Sequence, residues 1–130
     1  MKIIVGYDGS GAAGDALALA VNFAKAFNAG VDVVTSLVKG SENEIQNISE
    51  AEKGLEHAKS YFEKENIKYI THLLIRGMAP GEDLVLFAVE NKADLIIIGV
   101  KRRSKVGKLV FGSTAQHVIL EAPCPVVSIK

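Results

Sequence analysis

Five stretches of the chain are short and rich in Val and Ile: Lys2 to Gly6, Val31 to Ser36, Ile67 to Ile75, Ala93 to Ile98 and Pro125 to Ile129. Runs of this length and composition predict strands. Between them, Ala12 to Phe27, roughly Glu50 to Glu65, Gly81 to Asn91 and Ser113 to Leu120 carry apolar residues three and four apart. That period predicts amphipathic helices. The polar stretch Val38 to Ser49, VKGSENEIQNIS, has no clear period and predicts a mobile loop between the second strand and the second helix.

Strands alternating with helices give a βαβα chain, whose crossovers build a parallel sheet covered on both faces. The stretch LIIIG agrees, since a strand buried on both faces is apolar at every position. The expectation is a doubly wound α/β fold with five strands. In such sheets ligands bind outside the carboxyl ends of the strands, where the strand order reverses. Asp8, Gly9 and Ser10 follow the first strand and Gly99 to Ser113 follows the fourth, so both segments lie at that end.

Length and charge narrow the picture. A chain of 130 residues suits one domain, expected over 1–130. Its 15 basic residues balance its 15 acidic ones, which argues against a general nucleic-acid or membrane-adsorbing surface. The start MKIIVGYDGS shows no apolar core of a signal peptide, and no run approaches the ~20 apolar residues of a membrane span. The one cysteine, Cys124, has no partner for an internal disulfide, so a cytoplasmic location is expected. Against this neutral background, Lys101, Arg102, Arg103, Lys105 and Lys108 form a local basic segment, while Glu42 to Glu65 holds seven acids and three bases.

Two nucleotide motifs can be weighed and set aside. Gly9, Gly11 and Gly14 spell G-x-G-x-x-G between a strand and a helix, the form of a dinucleotide fingerprint. The fingerprint needs an acid at the end of the second strand, where Thr35, Ser36 and Leu37 stand; Asp32 lies at the start of that strand, and Asp8 would repel a pyrophosphate. These glycines are expected to form a tight turn and to let helix and strand approach. A P-loop ending at Gly107 and Lys108 would need glycine where Arg102 stands and Ser or Thr where Leu109 stands.

IIVGYDGS at the start, RGMAPGE after the third strand, the ADLIIIGV strand, GKLVFGSTAQHVI and the terminal APCPVVSI together resemble the universal stress protein family over the whole chain. The resemblance implies an adenine-nucleotide alpha-hydrolase-like fold with strand order 3-2-1-4-5. It implies a loop of the form G-x-x-G, nine residues, G-[ST], matched by Gly99, Gly112 and Ser113 and followed by Thr114; Arg102 replaces the second glycine. It also implies Asp8 against a ribose hydroxyl or the base, the backbone of Ser36 and Leu37 as the adenine edge, and Ile98 as an apolar wall. The cofactor implied is ATP or AMP, with magnesium left open, and the partner is a second copy joined through the Pro125 to Ile129 edge strand. A proline at Val127 is expected to remove a backbone donor from that edge.

Each of these residues also has a plain structural role open to it. Asp8 can form an Asx turn with Gly9. Ser113 with Gln116 has the form of a capping box, compatible with an anion at the same helix N-terminus. The basic residues can neutralise phosphates or stand in solvent, and Arg102 can either grip phosphate oxygens or block their site. Phe111, expected to pack inward, leaves the basic segment without a stacking platform for RNA. His57, His72 and His117 lack metal-ligand spacing, and Cys124 is expected as a small buried residue. No nucleophile with a base emerges, so at most slow ATP hydrolysis is expected. Two functions remain: an adenine-nucleotide-binding sensor or regulator in stress response, and a dimeric interaction protein that needs no nucleotide.

Overall fold

The computed structural model describes residues 1–100 and 112–130. Among these, β1 (Lys2–Gly6), α1 (Gly11–Phe27), β2 (Gly30–Ser36), α2 (Glu44–Glu63), β3 (Tyr69–Leu74), α3 (Pro80–Glu90), β4 (Leu95–Gly99), α4 (Ser113–Glu121) and β5 (Val126–Ile129) alternate along the chain. The strands form one parallel sheet of order β3-β2-β1-β4-β5, as the resemblance implied. The strand order reverses between β1 and β4.

The central strands are apolar on both faces because both faces are covered. Ile3 and Val5 pack with Ala16, Leu17 and Ala20 of α1 and with Leu55, Ala58 and Phe62 of α2. Ile4, Ile96 and Ile98 point the other way, onto Leu84, Phe87 and Ala88 of α3 and Val118 of α4. Each large aliphatic side chain removed from water in this way contributes about 1.5–3 kcal/mol. The edge strands β3 and β5 are only partly covered.

Local chemistry sets the helix ends. Ser10 caps α1, its Oγ accepting from the Ala13 N–H at 3.1 Å, and Asn28 closes that helix in the left-handed conformation at φ 52°. Pro80 opens α3 at a position where its missing N–H costs nothing, and Glu82 and Asp83 complement the dipole.

The loop expected over Val38 to Ser49 is shorter than its polarity suggested, since α2 already begins at Glu44. Its first turns hold no fully buried residue: Ile45 is 87% exposed, and the buried residues Leu55, Ala58 and Phe62 all lie downstream. A helical turn without a buried face leaves no apolar period. Among the described residues no helix is long and apolar enough to cross a membrane.

The edge of β5 also corrects one expectation. The carbonyls of Pro125 and Ile129 accept from the amides of Ile96 and Val100 of β4, at 3.1 and 2.7 Å. By strand alternation Val127, which pairs with Ile97, turns its backbone groups inward as well, and the outward amides are those of Val126 and Ser128. A proline at Val127 would therefore break the sheet itself.

Candidate functional site

The carboxyl ends of β1 and β4 open into a cavity of about 480 Å³. Of the residues singled out by the sequence, Asp8, Ser36, Ile98, Gly99, Gly112, Ser113 and Thr114 line it together; Leu37 does not. The cavity's lining is of two chemically different kinds. Val34, Leu84 and Ile98 make an apolar wall, and residues 112–115 present the start of α4. Val34, Leu84 and Ala115 were missed by motif reasoning, because they read as ordinary core positions of a strand or helix, and Pro80, though part of RGMAPGE, was not singled out as a site residue.

Asp8 stands on the turn between β1 and α1. Its Oδ1 accepts from the Ser10 N–H at 3.0 Å, the Asx turn open to it from the sequence, and Gly9 takes the left-handed φ of +81° within it. This turn is the only part of G-x-G-x-x-G that demands glycine in the expected way. A Cβ on Gly11 would meet nothing among the described residues, and one on Gly14 would make only an ordinary contact, 3.7 Å from the Tyr61 hydroxyl. The close approach of helix and strand is made instead at Gly99, where a Cβ would stand 2.4 Å from the backbone of Ala12.

Gly112 differs from Gly99. Its φ of −66° and ψ of 162° suit any residue, and no described atom lies within 4 Å of the place where a Cβ would sit. Packing among the described residues gives no reason for glycine at this wall of the cavity. Gly112, and not Ser113, is the N-cap of α4, and among the described residues no side-chain cap bond is made there. The capping box expected from Ser113 and Gln116 is therefore not formed; Ser113 is already the first helical residue, and the Gln116 N–H bonds the Gly112 carbonyl at 3.0 Å. The amides of Ser113, Thr114 and Ala115 precede the first intrahelical bond and carry the positive end of the helix dipole.

Behind Ser36 lies a polar network that no motif indicated. Ser36 Oγ donates to Asp83 Oδ2 at 2.8 Å, and Asp83 is fully buried. Arg76 holds that carboxylate through Nε at 2.6 Å, reaches the Asp83 carbonyl through Nη2 at 3.3 Å, and donates to Glu90 at 2.7 Å through Nη1. The bond to Glu90 and then the Asp83 carboxylate raise the Arg76 guanidinium above its ordinary value, against the opposing effect of burial. The available signal was Asp83 itself, an acid within the spacing of the buried positions Gly81, Leu84 and Phe87. At Leu37 the amide already donates to the Leu74 carbonyl at 2.9 Å.

Other candidates lie elsewhere. His72 bonds buried Asp32 at 2.8 Å, well back along β2 and β3, and His57 packs edge-on against Tyr61. Cys124 precedes β5 at the opposite end of the sheet and is half-buried; burial, and then Asp94, push its thiol upward, away from the reactive thiolate. Among the described residues no group of three or more His, Cys, Asp and Glu side chains could hold a metal ion. Lys101, Arg102, Arg103, Lys105, Lys108 and Phe111 lie outside the described residues.

The fold has close counterparts. A universal stress protein from Archaeoglobus fulgidus is 42% identical and superposes with a TM-score of 0.92, the match covering 100% of this chain and 98% of that one. A universal stress protein of the same organism, determined in complex with dAMP, is 38% identical over the same shares with a TM-score of 0.86. A universal stress protein of Methanocaldococcus jannaschii is 33% identical, covering 99% of this chain and 81% of its own. The profile of the universal stress protein family matches residues 1–130, and the chain belongs to that family.

Proposed function

We propose that the chain binds an adenine nucleotide, ATP or AMP, in the cavity between the ends of β1 and β4, and acts as a sensor or regulator in stress response. The observation that carries this is the cavity's mixed lining: an apolar wall of Val34, Leu84 and Ile98 suits a purine, and the amides at the start of α4 suit phosphate. The Archaeoglobus fulgidus relative bound to dAMP supports it. In this reading the base lies toward Ser36 and the neighbouring backbone of Leu37, Asp8 faces the ribose, and Gly112, Ser113 and Thr114 take the phosphates. Gly112 lets a phosphate approach where a side chain would stand.

Arg102 stands where the family's loop carries its second glycine, and on the sensor reading a guanidinium there would favour ATP over AMP by donating two hydrogen bonds to the outer phosphates, whereas a side chain filling the phosphate site would exclude both. The same departure favours the second reading, a dimeric interaction protein that needs no nucleotide. In either reading two copies join through the outer edge of β5, whose Val126 and Ser128 amides point away from β4. A cytoplasmic location belongs to the proposal on the strength of the lone cysteine. Nucleotide released by heating the purified protein separates the two functions: adenine nucleotide near one per chain supports the sensor, and none, with none taken up on soaking, supports the interaction protein.

A further inference from the structure

We infer that Ser36 is a specificity-determining residue of the cavity, and that its hydroxyl accepts a hydrogen bond from the exocyclic amino group of a 6-aminopurine. The inference rests on the nucleotide site proposed above and adds the atom that reads the base. A serine hydroxyl has one proton and two lone pairs. The Ser36 proton is committed to Asp83 Oδ2 at 2.8 Å. Asp83 cannot turn away, since it is fully buried and its other oxygen is held by Arg76 Nε at 2.6 Å, with Arg76 anchored in turn on Glu90. A hydroxyl fixed in this way offers a ligand only lone pairs, and the group facing it must be a donor.

The topology says which part of the ligand that is. Ser36 is two residues beyond Val34 on β2, so both face the α3 side of the sheet, and both line the cavity. β2 neighbours β1 on the side away from β4, whereas the phosphate-binding amides of α4 follow β4. Ser36 therefore meets the end of the ligand farthest from its phosphates, the base edge. A purine whose 6-amino group points at Ser36 satisfies the lone pair; one without a donor there leaves it dry and unpaired.

The test compares AMP with purine riboside 5′-monophosphate, which lacks only the 6-amino group, by calorimetric titration of the wild type, Ser36→Ala, Ser36→Thr and Asp83→Asn. The wild type is expected to prefer AMP by roughly tenfold. Ser36→Ala should bring the ratio close to one, Ser36→Thr should keep it, and Asp83→Asn, which frees the hydroxyl to rotate, should lower it. Should Asp83→Asn fail to fold, the alanine and threonine variants decide alone. A ratio unchanged in Ser36→Ala overturns the inference, and so does equal binding of both nucleotides by the wild type, a result that would leave the nucleotide site itself standing. Binding of neither nucleotide by the wild type overturns the site and the inference together.

Discussion

Gly99 at the end of β4 and Ala12 in the first turn of α1 are in backbone contact: a Cβ on Gly99 would lie 2.4 Å from the Ala12 carbonyl carbon, 2.5 Å from its oxygen and 2.7 Å from the Ala13 nitrogen. All three atoms are main chain, so no rotamer change can relieve the clash. Gly99→Ala is expected to force α1 off the sheet and destabilise the fold by about 3 kcal/mol, the upper part of the overpacking range. Urea unfolding measures it; a loss below about 1 kcal/mol would show that α1 shifts freely.

Gly112 should behave in the opposite way, although it belongs to the same sequence motif. Aspartate is a good N-cap, and the backbone at this position accepts any residue. Gly112→Asp is expected to leave stability within about 0.5 kcal/mol of the wild type, because exposed cap changes without clashes are small. Its carboxylate would stand where phosphate approaches, so AMP affinity should fall at least roughly tenfold. Retained affinity with a stable fold would place the phosphates elsewhere.

What the sequence made legible follows from which signals are local. The LIIIG strand announces itself because Leu95 to Ile98 are buried on both faces, and the end of the sheet that carries the cavity follows from strand order alone. The start of α2 at Glu44 stayed hidden because a turn with Ile45 in solvent has no apolar period. The roles of the glycines depend on what crosses them. Gly99 is required by a helix more than eighty residues earlier, a relation that spacing within a motif does not record. The Ser36–Asp83–Arg76 network joins separate elements in the same way, and Asp83 alone reads as an ordinary acid at a helix start. The basic residues between Lys101 and Lys108 lie outside the described residues.

Tyr69 gives the protein a pH dependence at the alkaline end. Its hydroxyl donates to Glu63 at 2.5 Å, and this bond, with partial desolvation and the Glu63 charge, raises its pKa from 10.0 to about 12. The folded state thus holds the phenolic proton more tightly than the unfolded state. The resulting stabilisation is complete below pH 10 and disappears as pH rises through about 12. Stability of Tyr69→Phe should therefore fall less steeply than the wild type between these values, and phenolate absorbance should lose its latest-titrating component. A Tyr69 that ionises near its ordinary value would contradict the bond to Glu63.

The outer edge of β5 predicts where association can be broken without breaking the sheet. Ser128 is exposed and its amide points away from β4, so proline there removes a donor for a neighbouring strand and spares the bonds of Pro125 and Ile129 to β4. Ser128→Pro is expected to keep its circular dichroism spectrum and to sediment as a monomer at concentrations where the wild type is a dimer. Equal association of both would remove β5 as the contact, and a monomeric wild type would remove the dimer.

The most direct measurement of the central claim is calorimetric titration of the wild type with AMP, ATP and adenosine. A cavity with an apolar base wall and a phosphate site at α4 should bind AMP with one site per chain, and adenosine more weakly by roughly ten- to a hundredfold, since a charge-assisted phosphate contact is worth about 1.5–3 kcal/mol. ATP should exceed AMP if Arg102 grips the outer phosphates. No heat and no competition from any of the three at millimolar concentration would contradict the account, and would make the chain a member of the family that works without nucleotide.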